Sequence, residues 1–213
     1  TTDGVSRTMA LYHRNTSPYQ DPSYYKLVTS GASMRFGVPF TELDTVFFGL
    51  GLESTNIKTG TGLPSTYQTY VNDYGAKSSS LPLTVGWARD SRDSALVPTK
   101  GRLQRFNFEW SPAGDAKYVR ASYQFQQYLP LTKKFTVAFN TDLAAGASIG
   151  DRVFPIFKSF FGGGLGSVRG FEQGSLGPRD AAGTVLGGTE KFNANLELQS
   201  PLPGGGNDRT LRM

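Results

Sequence analysis

The sequence predicts an all-β chain, an antiparallel transmembrane β-barrel in partial form. Three observations carry that prediction. Apolar and polar side chains alternate with a period of two almost throughout, as on strands with one apolar face. The alternating runs are about ten residues long, which exceeds the usual strand and suits one crossing a membrane at a tilt. The connections also sort by parity into shorter turns and longer loops, the habit of an outer-membrane barrel.

In chain order, a weak alternation near residues 7–14 opens the series. Met34, Phe36, Val38 and Phe40 then face away from Ser33, Arg35, Gly37 and Pro39. After the turn TELD, Val46, Phe48, Leu50 and Leu52 alternate with Phe47, Gly49, Gly51 and Glu53. Leu83, Val85 and Trp87 alternate with Thr84 and Gly86, and Phe106, Phe108 and Trp110 with Arg105, Asn107 and Glu109. Val119, Ala121, Tyr123 and Phe125 alternate with Arg120, Ser122, Gln124 and Gln126. Phe135, Val137, Phe139 and Leu143 alternate with Thr136, Ala138, Asn140 and Asp142. Phe192, Ala194, Leu196 and Leu198 alternate with Asn193, Asn195, Glu197 and Gln199, which completes eight strands. RTLRM at the end reads as the start of another, and no segment reads as a helix.

The short or moderate connections are TELD, RDSALVPTKG, PLTKK and PLPGGGND; the other set is 15–24, 57–80 and 148–188, with SPAGD as a short exception. A soluble β-sandwich would alternate too, but strand length, aromatics near strand ends and loop parity weigh against it. The inward set holds Arg35, Glu53, Arg105, Glu109, Arg120 and Asp142, which implies a wet lumen. An eight-stranded barrel is just filled by side chains, so the expectation is part of a larger barrel.

Composition excludes other classes. Charged residues make up 18% and aromatics 13%, with 26 glycines, which suits a turn-rich β protein rather than a disordered chain. The net charge of +5 is scattered, so no nucleic-acid partner is expected. There is no cysteine, and the one histidine, His13, reads as a surface or lumen residue, so no metal is expected. No apolar run reaches the ~18 residues of a membrane helix. TTDGVSRTMA does not read as a signal peptide. Asp90, Arg92 and Asp93 read as turn residues rather than a carboxylate site. No dinucleotide or nucleophile-elbow motif is present, so neither a cofactor nor enzymatic activity is expected.

One stretch stays unexplained by strands. FGGGLGSVRGFEQGSLGPRD holds seven glycines in twenty positions around Val168, Arg169, Gly170 and Phe171. GSVRGFEQGSLGPRD resembles the sixth extracellular loop of BamA-type outer-membrane insertases, whose superfamily carries a VRGF/Y signature. DSRDSALVPTKGRL is similar to that family's turn ending in Pro-Thr-x-Gly, here Pro98, Thr99 and Gly101. DGVSRTMALYHRN resembles the start of the family's fifth strand. The resemblance covers nearly the whole chain.

It implies that residues 1–213 are about strands five to thirteen of a sixteen-stranded barrel, without POTRA domains or the terminal strands. Residues 148–188 would be the extracellular lid loop, folded into the lumen. Arg169 would meet acidic residues of the inner wall, with Glu197 the candidate and a second partner expected beyond Met213. The implied function is to fold and insert β-barrel proteins into the outer membrane of a Gram-negative bacterium. Implied partners are outer-membrane lipid, unfolded outer-membrane proteins and, through POTRA domains, assembly lipoproteins. A TamA-like or two-partner-secretion translocator, or a passive porin, stays open at this point.

Overall fold

The computed structural model describes residues 4–16, 25–60, 63–181 and 183–200. The elements are β1 (Ser6–Thr16), β2 (Tyr25–Pro39), β3 (Asp44–Thr59), α1 (Ser65–Tyr74), β4 (Lys77–Ser80), β5 (Leu83–Asp90), β6 (Gly101–Ser111), β7 (Tyr118–Pro130), β8 (Thr136–Ser148) and β9 (Glu190–Gln199). The strands form one open antiparallel sheet in the order β1-β2-β3-β5-β6-β7-β8-β9, with the short β4 paired to β3. This is a sector of barrel wall in which each main strand pairs with its neighbour in sequence.

The register keeps the two faces separate from strand to strand. Phe36 lies opposite Phe48, Phe48 opposite Val85, Val85 opposite Phe108 and Phe108 opposite Ala121. One residue along, Arg35 meets Gly49, Gly49 meets Thr84, Thr84 meets Glu109, Glu109 meets Arg120 and Arg120 meets Gly146. A slip of one residue would exchange these faces, so the alternation fixes the pairing. The outer face leaves Leu11, Leu50, Leu52, Val85, Leu196 and Phe192 exposed, as a lipid-facing surface requires.

Threonine builds both short turns. Thr41 Oγ1 accepts from the Asp44 backbone N–H at 3.0 Å and donates to Asp44 Oδ2 at 2.7 Å. Thr132 Oγ1 accepts from the Lys134 and Phe135 N–H groups at 3.2 and 3.1 Å. A hydroxyl that satisfies backbone donors within two or three residues is what tightens such turns.

The opposite end is more structured than the sequence reading. The sequence predicts no helix, yet α1 lies within the 57–80 connection, followed by β4. Tyr67, Tyr70, Val71 and Tyr74 fall at helical spacing and pack with Tyr25, Ile57, Leu27 and Ile156 into an apolar cluster. Pro64 precedes the first turn, and Gly75 at φ +83° ends the helix. The stripe is mostly tyrosine, which is why a short amphipathic helix read as loop. The alternation predicts the second strand from Met34, but β2 starts at Tyr25; Tyr-Lys-Leu-Val-Thr-Ser alternates too weakly in polarity to declare itself. The expected further strand at RTLRM and the connection PLPGGGND lie outside the described residues.

Candidate functional site

The inner face of the wall and the 149–189 connection form the candidate site. The connection leaves β8, folds against the wall and returns to β9. Bridges between Phe160 and Gly188, Gly162 and Leu176, and Arg179 and Val185 tie its limbs together. Within it, residues 163–175 make a compact lobe. Gly164 N–H donates to Phe171 O at 3.0 Å, and Ser167 N–H to Gly164 O at 3.0 Å. Gly163 sits at φ +101°, where a Cβ would come within 2.4 Å of Glu172 O. Gly170, inside the signature, sits at φ +86°, a left-handed conformation that disfavours any side chain.

The lobe meets β9. Arg169 Nη2 lies 3.3 Å from Glu197 Oε1. Among the described residues this ion pair is a single contact rather than a bidentate fork. The Arg169 side chain is 67% exposed and that of Glu197 26%, so water screens the pair. Asn195, two residues away on the same face, donates Nδ2–H to Ser167 O at 2.8 Å. Sequence reasoning missed Asn195, although its parity with Glu197 places it on the inner face. Val168 is half-buried, and Phe171 is 54% exposed. A second acidic partner past Met213 lies outside the described residues.

The limb leading into the lobe makes closer contacts with the wall. Phe154 stacks edge-on against Tyr118, with centroids 6.2 Å apart, and its ring fills the space beside Gly146. Phe160 lies 4.6 Å from the Arg120 guanidinium. A 3-10 turn over Ile156–Lys158 aims Lys158 Nζ at Glu53 Oε2, 2.9 Å away, and at Glu109 Oε1, 3.1 Å away. Both glutamates were legible as inward residues. Lys158 was not singled out, because it sits in a non-repeating segment without a motif.

Pro98, Thr99 and Gly101 lie in the β5–β6 connection, at the strand ends opposite those joined by the long connection. Asp93 accepts from Thr99 N–H at 2.8 Å, from the Thr99 hydroxyl at 2.5 Å and from Lys100 N–H at 3.2 Å. Gly101 opens β6 at φ +96°, where a Cβ would lie 2.2 Å from Ser91 O. Asp90 pairs separately with Arg92 at 2.8 Å.

Desolvation pushes the Asp93 carboxyl up, but the hydrogen bonds from Thr99 and Lys100 outweigh it and hold it at about 2, against the ordinary 3.8. A depressed carboxyl stabilises the fold above its ordinary value and loses that effect as pH falls toward the depressed one. The turn is therefore expected to hold above about pH 4 and to loosen toward pH 2. Asp93→Asn should cost about 1 kcal/mol at neutral pH, the exposed position limiting the effect. It should also flatten the acid dependence of peptic cleavage at Leu96 between about pH 4 and pH 2; an unchanged profile counts against the role.

Comparison with known proteins adds sequence and structural relatives. A model of the Omp85 superfamily domain matches residues 1–213. The chain is 36% identical over 230 residues to outer membrane protein assembly factor BamA of Neisseria meningitidis serogroup B, covering 100% of this chain and 29% of that protein. It is 36% identical over 118 residues to the sorting and assembly machinery component 50 homolog of Mus musculus, covering 54% of this chain and 24% of that one. The crystal structure of BamA from Haemophilus ducreyi lacking POTRA domains 1–3 superposes with a TM-score of 0.89 at 27% identity, over 99% of this chain and 44% of that one. The chain thus spans less than half the length of each of these relatives.

Proposed function

This chain belongs to the Omp85 superfamily, and from that premise we propose that it supplies barrel wall and lid loop to an insertase that folds β-barrel proteins into the outer membrane of a Gram-negative bacterium. The observation that carries this reading is the VRGF lobe, docked on the inner wall at Glu197 and Asn195 instead of standing clear of the lumen. The whole-chain identity to a protein named as an assembly factor supports it as well.

On this reading residues 148–188 are the lid on the extracellular side, and the Pro98-Thr99-Gly101 turn faces the periplasm. The exposed apolar face meets outer-membrane lipid. Unfolded outer-membrane proteins are the substrate, with assembly lipoproteins as partners elsewhere in the full-length protein. The chemistry is non-covalent: an incoming strand would add to a sheet edge through main-chain hydrogen bonds.

The test is reconstitution. The full-length protein in liposomes is expected to accelerate insertion of a urea-denatured reporter barrel without a nucleotide, read as heat-modifiable, protease-protected product. Ion conductance with no acceleration of insertion would favour a passive porin and overturn the proposal.

A further inference from the structure

A chain of polar contacts crosses the inner wall and shares no residue with the Arg169–Glu197 contact. Tyr12 on β1 reaches across β2 at Gly31, where a Cβ would come within 2.7 Å of the phenol ring, and donates its hydroxyl to Glu53 Oε1 at 2.7 Å. Glu53 on β3 pairs with Lys158 at 2.9 Å. Lys158 pairs in turn with Glu109 on β6 at 3.1 Å. Glu109 accepts from the Tyr118 hydroxyl on β7 at 2.5 Å and lies 3.9 Å from Arg120. Two carboxylates thus face Lys158, Arg120 and two phenol donors, with Arg14 acting on Glu53 as well, so the cluster is rich in counter-charge and hydrogen bonds.

We propose that Lys158 is a positioning residue, a second anchor that holds the entry limb of the loop in the lumen and braces β1, β3, β6 and β7 against one another. The compact, three-donor lysine ammonium suits a bridge between two carboxylates on different strands. Its side chain is 12% exposed and both glutamates 16%, against 67% for Arg169. Removing one member of a poorly hydrated pair leaves the others' charges unpaired, which costs more than losing a water-screened pair. The entry limb, rather than the signature arginine, therefore carries the firmer attachment. Any consequence for barrel assembly rests on the lid-loop reading; the anchoring itself does not.

The experiment uses full-length protein, otherwise free of cysteine, with Ser159→Cys as a reporter beside Lys158. Labelling by a bulky polyethylene-glycol maleimide reads how often the limb leaves the wall, and heat-modifiability checks that the barrel is folded. Lys158→Met is expected to raise the labelling rate about tenfold, and Lys158→Arg to restore most of the protection. The isosteric pair Glu53→Gln and Glu109→Gln should match Lys158→Met, and adding Lys158→Met to them should change little. Unchanged labelling in Lys158→Met, or fully additive effects in the triple variant, overturns the proposal. If Lys158→Met does not fold, the Gln pair decides: protection equal to that of the parent overturns it. Raised labelling with normal reporter insertion keeps the anchor and counts instead against the lid's role in assembly.

Discussion

Phe108→Arg in the full-length barrel is expected to destabilise it by about 2–4 kcal/mol, the depth-dependent effect of a charge placed on a lipid-facing strand position. Phe108 sits mid-strand on β6 between Val85 and Ala121, in the outer row of the register. Its neighbour Asn107 lies between Gly86 and Ser122 on the inner row, so Asn107→Ser should cost little. Denaturant titration in lipid vesicles checks the pair, and spin labels at both positions check the facing. A label at 107 in lipid with one at 108 in water would mean that the assigned faces are exchanged.

Arg169→Ala is expected to release the lobe from β9 and slow barrel assembly by the full-length protein. Water screens this pair because the Arg169 side chain is 67% exposed, so its loss should cost about 1 kcal/mol or less. Arg169→Lys should rescue in part, since it keeps the charge but not the planar guanidinium. Glu197→Ala should resemble Arg169→Ala, with a less than additive double variant. Protease sensitivity of the loop in a double-mutant cycle is the measurement. Strict additivity would mean that the two side chains act independently, leaving Asn195 and the backbone of Ser167 as the contact between lobe and wall.

The wall was legible in the sequence because a lipid face and a wet face impose the same period of two on every strand. The parity that puts Phe36, Phe48 and Phe108 outside also puts Glu53, Glu109 and Glu197 inside, and the registers agree. What escaped lies at the loop end, where burial is not two-faced. The α1 stripe of Tyr67, Tyr70 and Tyr74 faces the loop-side ends of β2 and β3 and part of the long connection rather than lipid, so its signal is short and only moderately apolar. Lys158 escaped for a related reason. Its partners are far away in sequence, and no local pattern announces a contact between a loop and two distant strands. The signature around Arg169 was visible as a motif, but its exposure was not, and exposure determines how firmly it holds.

The order of the strands also has a consequence for folding kinetics. Each main strand pairs with its neighbour along the chain, so the wall can grow hairpin by hairpin, with only the β8–β9 step closing the long 149–189 connection. The contacts that fasten the long connection are different in kind. Lys158 meets Glu53 across 105 residues, and the Tyr67 hydroxyl meets Leu186 O across 119. Contacts of such separation carry a closure entropy that only an existing wall reduces, and they form late. Interactions absent from the rate-limiting barrier act on the rate of unfolding far more than on the rate of folding. Weakening them should therefore leave the speed of wall formation nearly unchanged and shorten the lifetime of the finished barrel.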